Sequence, residues 1–358
     1  MKVFFSGTQL DHQPTQYGVH GKLVRPLENP NRAETLIESL ARLGLAADEP
    51  PAADRTAIET VHPGHYLDFL QTAFERFQAL PNAGPEVIPN VHPYFAADRP
   101  YAPSPLADGA RPAPRTTGII GQTGWYVGDL SCAMTEGTAA AAFASAASAI
   151  AATRTVLSGE ASAFALCRPP GHHAYPDRSS GFCFLNNAAI AAELLRDTFG
   201  KVAILDFDTH HGDGTQTIFY ARGDVFVGSV HTDPSAYYPH FLGYGDETGV
   251  GAGEGANLNL PLAFGSGDGD FLGAVETLAR RAVEFGAEAL VVSAGWDAHQ
   301  ADPLSKLAVT SAAYPRVGEI LARMKLPTVI VQEGGYSLTA VSEAAPAFVS
   351  AFMDASGG

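Results

Sequence analysis

Ala203-Ile-Leu-Asp-Phe-Asp-Thr-His-His-Gly-Asp-Gly-Thr-Gln216 opens as an apolar run and closes on glycines. The apolar part suits a strand buried on both faces, and the glycines mark the loop that follows it. Across that junction stand three acidic residues and two histidines within the eight positions 206–213. If the strand stays extended, alternate side chains share a face. Asp206, Asp208 and His210 then lie together and Phe207 lies opposite. A carboxylate and an imidazole on one face are suited to a divalent metal. Ordinary turns also gather acidic residues at strand ends, but they seldom need consecutive histidines.

The same kind of run recurs along the chain. Strands are predicted over 2–5, 162–166, 202–206, 225–230, 289–293 and 328–332, and helices over 32–43, 138–157, 187–198, 270–285 and 311–323. Continuous apolar strands alternating with helices specify an α/β fold: a multi-stranded, mainly parallel sheet with helices on both faces and long loops at the strand C-terminal ends. One domain spanning 1–358 is expected. Two long loops stand out, 231–261 and the proline-rich 82–115, the latter too long for an ordinary connector and a candidate lid, binding loop or partner contact.

Bulk composition narrows the function. Hydrophobic residues are 46% of the chain, enough for a large core. With 22 basic and 38 acidic residues the net charge is −16, which disfavours nucleic acid and anionic membrane and attracts cations. Cys132, Cys167 and Cys183 form no C-x-x-C pair and no even framework, so a disulfide scaffold is not expected. The apolar run at the N-terminus is too short for a signal peptide, and the alanine-rich segment 138–153 reads as a buried helix; a cytoplasmic location is expected.

Chemistry gathers at strand ends, where open α/β sheets bind ligands. Pro169-Pro-Gly-His-His173 follows one strand; Pro170-Gly171 supplies the curvature that lets His172 and His173 face one site. Asp297 follows Val291-Val-Ser-Ala-Gly-Trp and fits a helix N-cap or, with Asp208 and His210, the third ligand of an open metal site. Glu333-Gly-Gly-Tyr336 presents a phenol on a glycine-rich loop. A calcium loop starting at Asp206 has His211 where glycine is needed, and there is no H-E-x-x-H, Walker A loop, G-x-S-x-G elbow or complete G-x-G-x-x-G.

Assembled, these segments resemble the arginase–deacetylase superfamily, its zinc-dependent histone deacetylase-like branch, and within that the bacterial acetylpolyamine amidohydrolases. The resemblance rests on Asn31-Arg-Ala-Glu34, Arg168-Pro-Pro-Gly-His-His-Ala174, Gly181-Phe-Cys-Phe-Leu-Asn-Asn187, Asp206 to Gln216, His240-Phe-Leu-Gly-Tyr244 and Glu333-Gly-Gly-Tyr336, spread over nearly the full length. It implies a single arginase/deacetylase-like domain and hydrolysis of acetylated polyamines or small diamines to acetate and amine. Asp208, His210 and Asp297 would hold Zn²⁺ or Fe²⁺. His172 and His173 would be the catalytic pair, with Asp206 and Asp213 as their carboxylate partners, and Tyr336 would polarise the carbonyl. Gly181, Phe182 and Tyr238 would line the substrate channel, and Arg32 would lie near an internal cavity. A K⁺ site would draw on Asp206, Asp208, His210 and Ser229. A homodimer is expected by the same resemblance, since in that branch an insertion matching 82–115 supports dimerisation and narrows the channel mouth.

Where that family places a glutamate for the distal ammonium, this chain has Ser131, with Ile120 at a second acidic position and Asp129 close by. The departure leaves acyl-lysine in peptides as an alternative substrate. An arginase-like two-manganese ureohydrolase needs a further aspartate where His299 stands. A non-catalytic acyl-amine binding protein would have lost a ligand, a histidine or the tyrosine, and all are present.

Overall fold

The computed structural model describes residues 1–93 and 111–357. Its strands are β1 (Lys2–Phe4), β2 (Tyr17–Val19), β3 (Lys22–Val24), β4 (Ala47–Asp48), β5 (Ser162–Ala165), β6 (Val202–Asp206), β7 (Val225–Thr232), β8 (Asn257–Leu262), β9 (Ala289–Ala294) and β10 (Thr328–Gln332). Strands β2 and β3 form a small antiparallel hairpin. The other eight make one sheet in the order β4-β1-β5-β10-β9-β6-β7-β8, with every pairing parallel.

Parallel strands joined by helical crossovers must be covered on both faces, and the strand residues divide accordingly. Val202, Ile204, Val291, Val329 and Ala163 pack with the helices Gly64–Gln78, Thr138–Leu157 and Asn187–Arg196. Their alternates Ala203, Leu205, Leu290, Ile330 and Phe164 pack with Pro30–Ala41, Asp268–Phe285, Ala313–Ala322 and Leu338–Ser356. Thr138–Leu157 is apolar and long enough to cross a membrane, yet 67% of its apolar window is buried inside the fold. Its alanines let it lie close to the sheet.

The neighbours β5, β10, β9 and β6 end at one edge of the sheet, so the loops carrying His172, Tyr336, Asp297 and Asp208 emerge side by side. Two expectations are corrected. The stretch 231–261 is not all loop: β7 runs on to Thr232 and β8 begins at Asn257. Asn257 and Asn259 are the buried positions of β8 because they bond to Gln216, which inverts the usual apolar pattern. The helices Gly64–Gln78 and Leu338–Ser356 lie where none was predicted, the second with Pro346 inside it. Of the insertion 82–115, residues 94–110 lie outside the described residues; before them, Val87 bridges to Met134.

A buried ion cluster fastens two of the site loops. Glu28 receives Arg32 at 3.0 Å and Arg168 at 2.8 Å, all three side chains almost fully enclosed. Arg168 also donates to the carbonyls of Gln9 at 2.7 Å and His12 at 2.5 Å. Arg32 donates to the carbonyls of Gly335 at 2.5 Å and Glu333 at 2.6 Å. Burial alone would raise the Glu28 carboxyl, but Arg168 and Arg32 bring it below its ordinary value. Glu28→Gln leaves two buried guanidiniums underpaired and is expected to lower stability by about 3–5 kcal/mol in urea unfolding near neutral pH. A carboxyl with a depressed folded pKa stabilises above its ordinary value and loses that effect on acidification. The gap between parent and variant should therefore narrow as pH falls below 4.5, the ordinary value for glutamate.

Candidate active site

Strand β6 stops at Asp206, and the chain bends because carboxylates capture the next backbone N–H groups. Asp206 accepts from Asp208 N at 2.9 Å, and Asp208 accepts from His210 N at 2.9 Å. The bend separates Asp206 from the other two. Nδ1 of His210 faces Asp208 Oδ1 at 3.1 Å and Asp297 Oδ2 at 3.2 Å. Asp208, His210 and Asp297 are the one group among the described residues that meets the geometry of a metal site, and all three are buried.

The donor set fits a divalent ion on three observations. In a tetrahedron with bonds of about 2.0–2.1 Å the ligand atoms lie about 3.3 Å apart, close to both measured edges. Oδ2 of Asp297 is buried with no hydrogen-bond partner, whereas its Oδ1 accepts from Thr209 N at 3.0 Å. A Cβ built on Gly334 would collide with the Asp297 and Asp208 carboxylates, so glycine is required where the Tyr336 loop crosses them. Asp297 is no helix cap, since turns rather than a helix follow it. His299 turns to Ser311 at 3.0 Å and stays out of the group. Ser229 hydrogen-bonds His231 at 2.7 Å.

The tandem histidines have separate carboxylates. Nδ1 of His172 meets Asp206 at 2.9 Å, and Nδ1 of His173 meets Asp213 at 2.7 Å. Asp213 opens the short helix Asp213–Phe219, and Tyr175 donates to its other oxygen at 2.8 Å. The two imidazoles, 4.0 Å apart between centroids, titrate in opposite directions. Burial lowers His172, but Asp206 and Asp208 overcome it and push it up to about 10. Burial lowers His173 to about 4, with the charge on His172 adding to the effect. A cationic imidazole beside a neutral one is a division into electrostatic and proton-accepting roles.

His173, His210 and Tyr336 line one open cavity of about 480 Å³, together with Gly181, Phe182 and Tyr238; His172, in ring contact with His173, is not part of its wall. Arg32 stacks over the Tyr336 ring at 4.6 Å and also lines a separate small cavity with Leu166 and Gly335. Burial pushes the Tyr336 phenol well above its ordinary value, so it keeps its proton as a donor. Ser131 and Asp129 line the main cavity, whereas Ile120 is exposed on the helix Ile119–Tyr126 and does not.

Glu333 was visible only as part of the Gly-Gly motif. Its buried carboxylate accepts from Gly171 N at 2.7 Å and His172 N at 3.1 Å, clamping the histidine loop. Asp302 and Tyr237, which the sequence did not single out, also contact the site.

The sequence pattern of the histone deacetylase domain matches residues 26–352. The chain is 40% identical over 353 residues to an acetylpolyamine amidohydrolase of Burkholderia pseudomallei (strain 1710b), covering 98% of each. It is 42% identical over 345 residues to an acetylpolyamine amidohydrolase of Mycoplana ramosa, covering 94% of this chain and 95% of the relative. The crystal structure of acetylpolyamine aminohydrolase from Burkholderia pseudomallei superposes with a TM-score of 0.92 at 40% identity, over 99% of both chains. That of the HDA15 HD domain superposes at 0.77 with 28% identity, over 99% of this chain and 88% of that one.

Gly334→Ala should displace both carboxylates and weaken divalent-metal binding by about tenfold or more, measured by chelator competition. Gly84→Ala, where an added Cβ meets nothing, is the control and should bind as the parent does.

Proposed function

The chain belongs to the histone deacetylase family, and on that premise we propose that it hydrolyses the amide of small cationic acetylated amines, acetylated diamines and polyamines, to acetate and free amine. The observation that carries the reading is the cavity wall. There a neutral His173, a protonated Tyr336 and the ligand His210 face the same space. Zn²⁺ is the proposed ion at Asp208, His210 and Asp297, with Fe²⁺ also compatible with an O/N donor set. Such an ion lowers the pKa of water and polarises an amide carbonyl.

The residues themselves divide the remaining work. Asp213 accepts the Nδ1 proton of His173, which leaves Nε2 with its lone pair. Nε2 takes a proton from the attacking water as the C–O bond forms, then delivers it to the amine nitrogen as the C–N bond breaks. Tyr336 donates to the carbonyl oxygen as that atom gains charge. His172, held cationic by Asp206, stabilises the same negative charge from outside the cavity wall.

Substrate choice follows from the charges along the cavity. Among the described residues Asp129 is the only carboxylate in its wall. The two Asp129 oxygens accept from Ser131, Ser180, Gly181 and Tyr238, which fix its charge in the wall. Lys306 lines the same cavity. One charge of each sign favours a substrate with a single distal ammonium over a tail with several. We further propose a cytoplasmic homodimer. Exposed Leu23, Phe241 and Phe264, at 65%, 88% and 52%, flank residues of the cavity and the Tyr237 wall, an apolar rim suited to a second copy. Mass measurement in solution tests it.

The deciding assay compares kcat/KM for acetylputrescine, acetylcadaverine, acetylspermidine and an acetyl-lysine peptide on zinc-loaded protein. The acetylated diamines should lead; a tenfold preference for the peptide overturns the proposal. Tyr336→Phe should retain zinc and substrate binding while losing about 10²–10³ in kcat. Asp129→Asn should raise KM for the acetylated diamines roughly tenfold more than for a neutral N-alkylacetamide, the difference separating the lost charge from the contacts Asp129 makes to Gly181 and Tyr238.

A further inference from the structure

Two contacts from outside the reaction centre meet on the short segment 302–304, which lines the cavity through Pro303 and Leu304. Asp302 is 5% exposed. Its Oδ2 accepts from Tyr336 N at 2.7 Å and Ser337 N at 2.8 Å, and its Oδ1 accepts from Leu304 N at 3.0 Å. Helix capping does not account for this contact, because the Ser337 side chain already caps the helix Leu338–Ser356 by accepting from Ala340 N. On the other side, the Tyr237 hydroxyl contacts both the Leu304 carbonyl and Nε2 of His210, the latter at 3.0 Å. The Tyr237 and His210 rings stack, 5.1 Å apart and 15° from parallel.

The directions of these bonds are forced. A backbone carbonyl only accepts, so the phenol gives its proton to Leu304. The phenol oxygen must then accept from His210, which places the imidazole proton on Nε2. Nδ1, the nitrogen facing Asp208 and Asp297, is then the one that would offer its lone pair to a metal held by the three residues.

We propose that Tyr237 and Asp302 are paired positioning residues. Tyr237 fixes the tautomer and ring plane of His210, Asp302 fixes the Tyr336 loop, and the Leu304 backbone ties the two. The metal side and the phenol side of the centre thereby keep one spacing. This rests on the metal-ligand and phenol roles given under the proposed function.

The test uses the full chain, stripped of metal and reloaded with zinc. Tyr237→Phe keeps the ring and removes the hydroxyl, and should weaken zinc by about 10–100-fold in chelator competition. In the loaded protein, the slowly exchanging Nε2 proton of His210 seen by NMR should exchange faster in this variant. Asp302→Ala should lower kcat for acetylputrescine at least about tenfold with KM near the parent value, the signature of an interaction felt in the transition state. Asp302→Asn, closer in shape, should fall between if the alanine variant folds poorly. The double variant should lose less kcat than the product of the single losses, because either change already cuts the link. A Tyr237→Phe protein that binds zinc within about twofold of the parent, or strictly multiplicative losses, overturns the proposal. Zinc affinity and the Nε2 proton are read without substrate, so they separate a failure here from a failure of the substrate assignment.

Discussion

Two of the loops at the working edge of the sheet hang from one buried carboxylate, Glu28. Its Oε1 meets both Arg168 and Arg32, and its Oε2 accepts from Arg168 as well. Arg168 begins the loop that reaches His172 and His173, and Arg32 holds the carbonyls of Glu333 and Gly335 below Tyr336. Two loops from adjacent strands are thus referred to a single point. Burying three charges costs desolvation energy, and apolar clusters of the same volume are often as stabilising or more so. What the ions supply is direction. A guanidinium binds carbonyls only in its own plane, so the two loops are oriented as well as attached.

The same device recurs closer to the reaction centre. Glu333 accepts two N–H groups of the histidine loop, Asp302 accepts two of the tyrosine loop, and Asp129 accepts Gly181 N at 3.1 Å. Loops beyond a parallel sheet have no ladder to satisfy their backbone donors. Here each is satisfied by a carboxylate from another loop. The result is a set of fixed donors and acceptors around the cavity before any substrate arrives, which is how a polar site stabilises developing charge without reorganising.

How legible this was in the sequence depended on the kind of signal. Strands 202–206 and 328–332 were bounded correctly because their apolar runs end sharply at Asp206 and Gln332. Strand β8 was hidden, since its buried side chains are asparagines paired with Gln216 rather than apolar residues. The helix Leu338–Ser356 was hidden by Pro346 and by apolar residues around much of its circumference. In the site, Asp208 and His210 were evident from spacing alone. The extended-strand reading also put Asp206 on their face; instead the chain bends after Phe207, where Asp206 accepts the Asp208 N–H, and Asp206 partners His172. Tyr237 and Asp302 left no pattern at all. They act through backbone groups of Leu304 and Tyr336, and a backbone partner leaves no mark on the residue that carries it.

The paired histidines show why position outweighs residue type. His172 and His173 are neighbours in sequence, each with an aspartate on Nδ1, and by composition they are equivalent. His172 sits outside the cavity wall among Asp206, Asp208 and Glu333, and that concentration of carboxylates holds it cationic. His173 faces the cavity with Asp213 as its carboxylate partner; burial lowers it, the His172 cation alongside lowers it further, and it stays neutral. The charge on the first is therefore part of what makes the second a base. Exchanging their surroundings without touching either imidazole would exchange their chemistry.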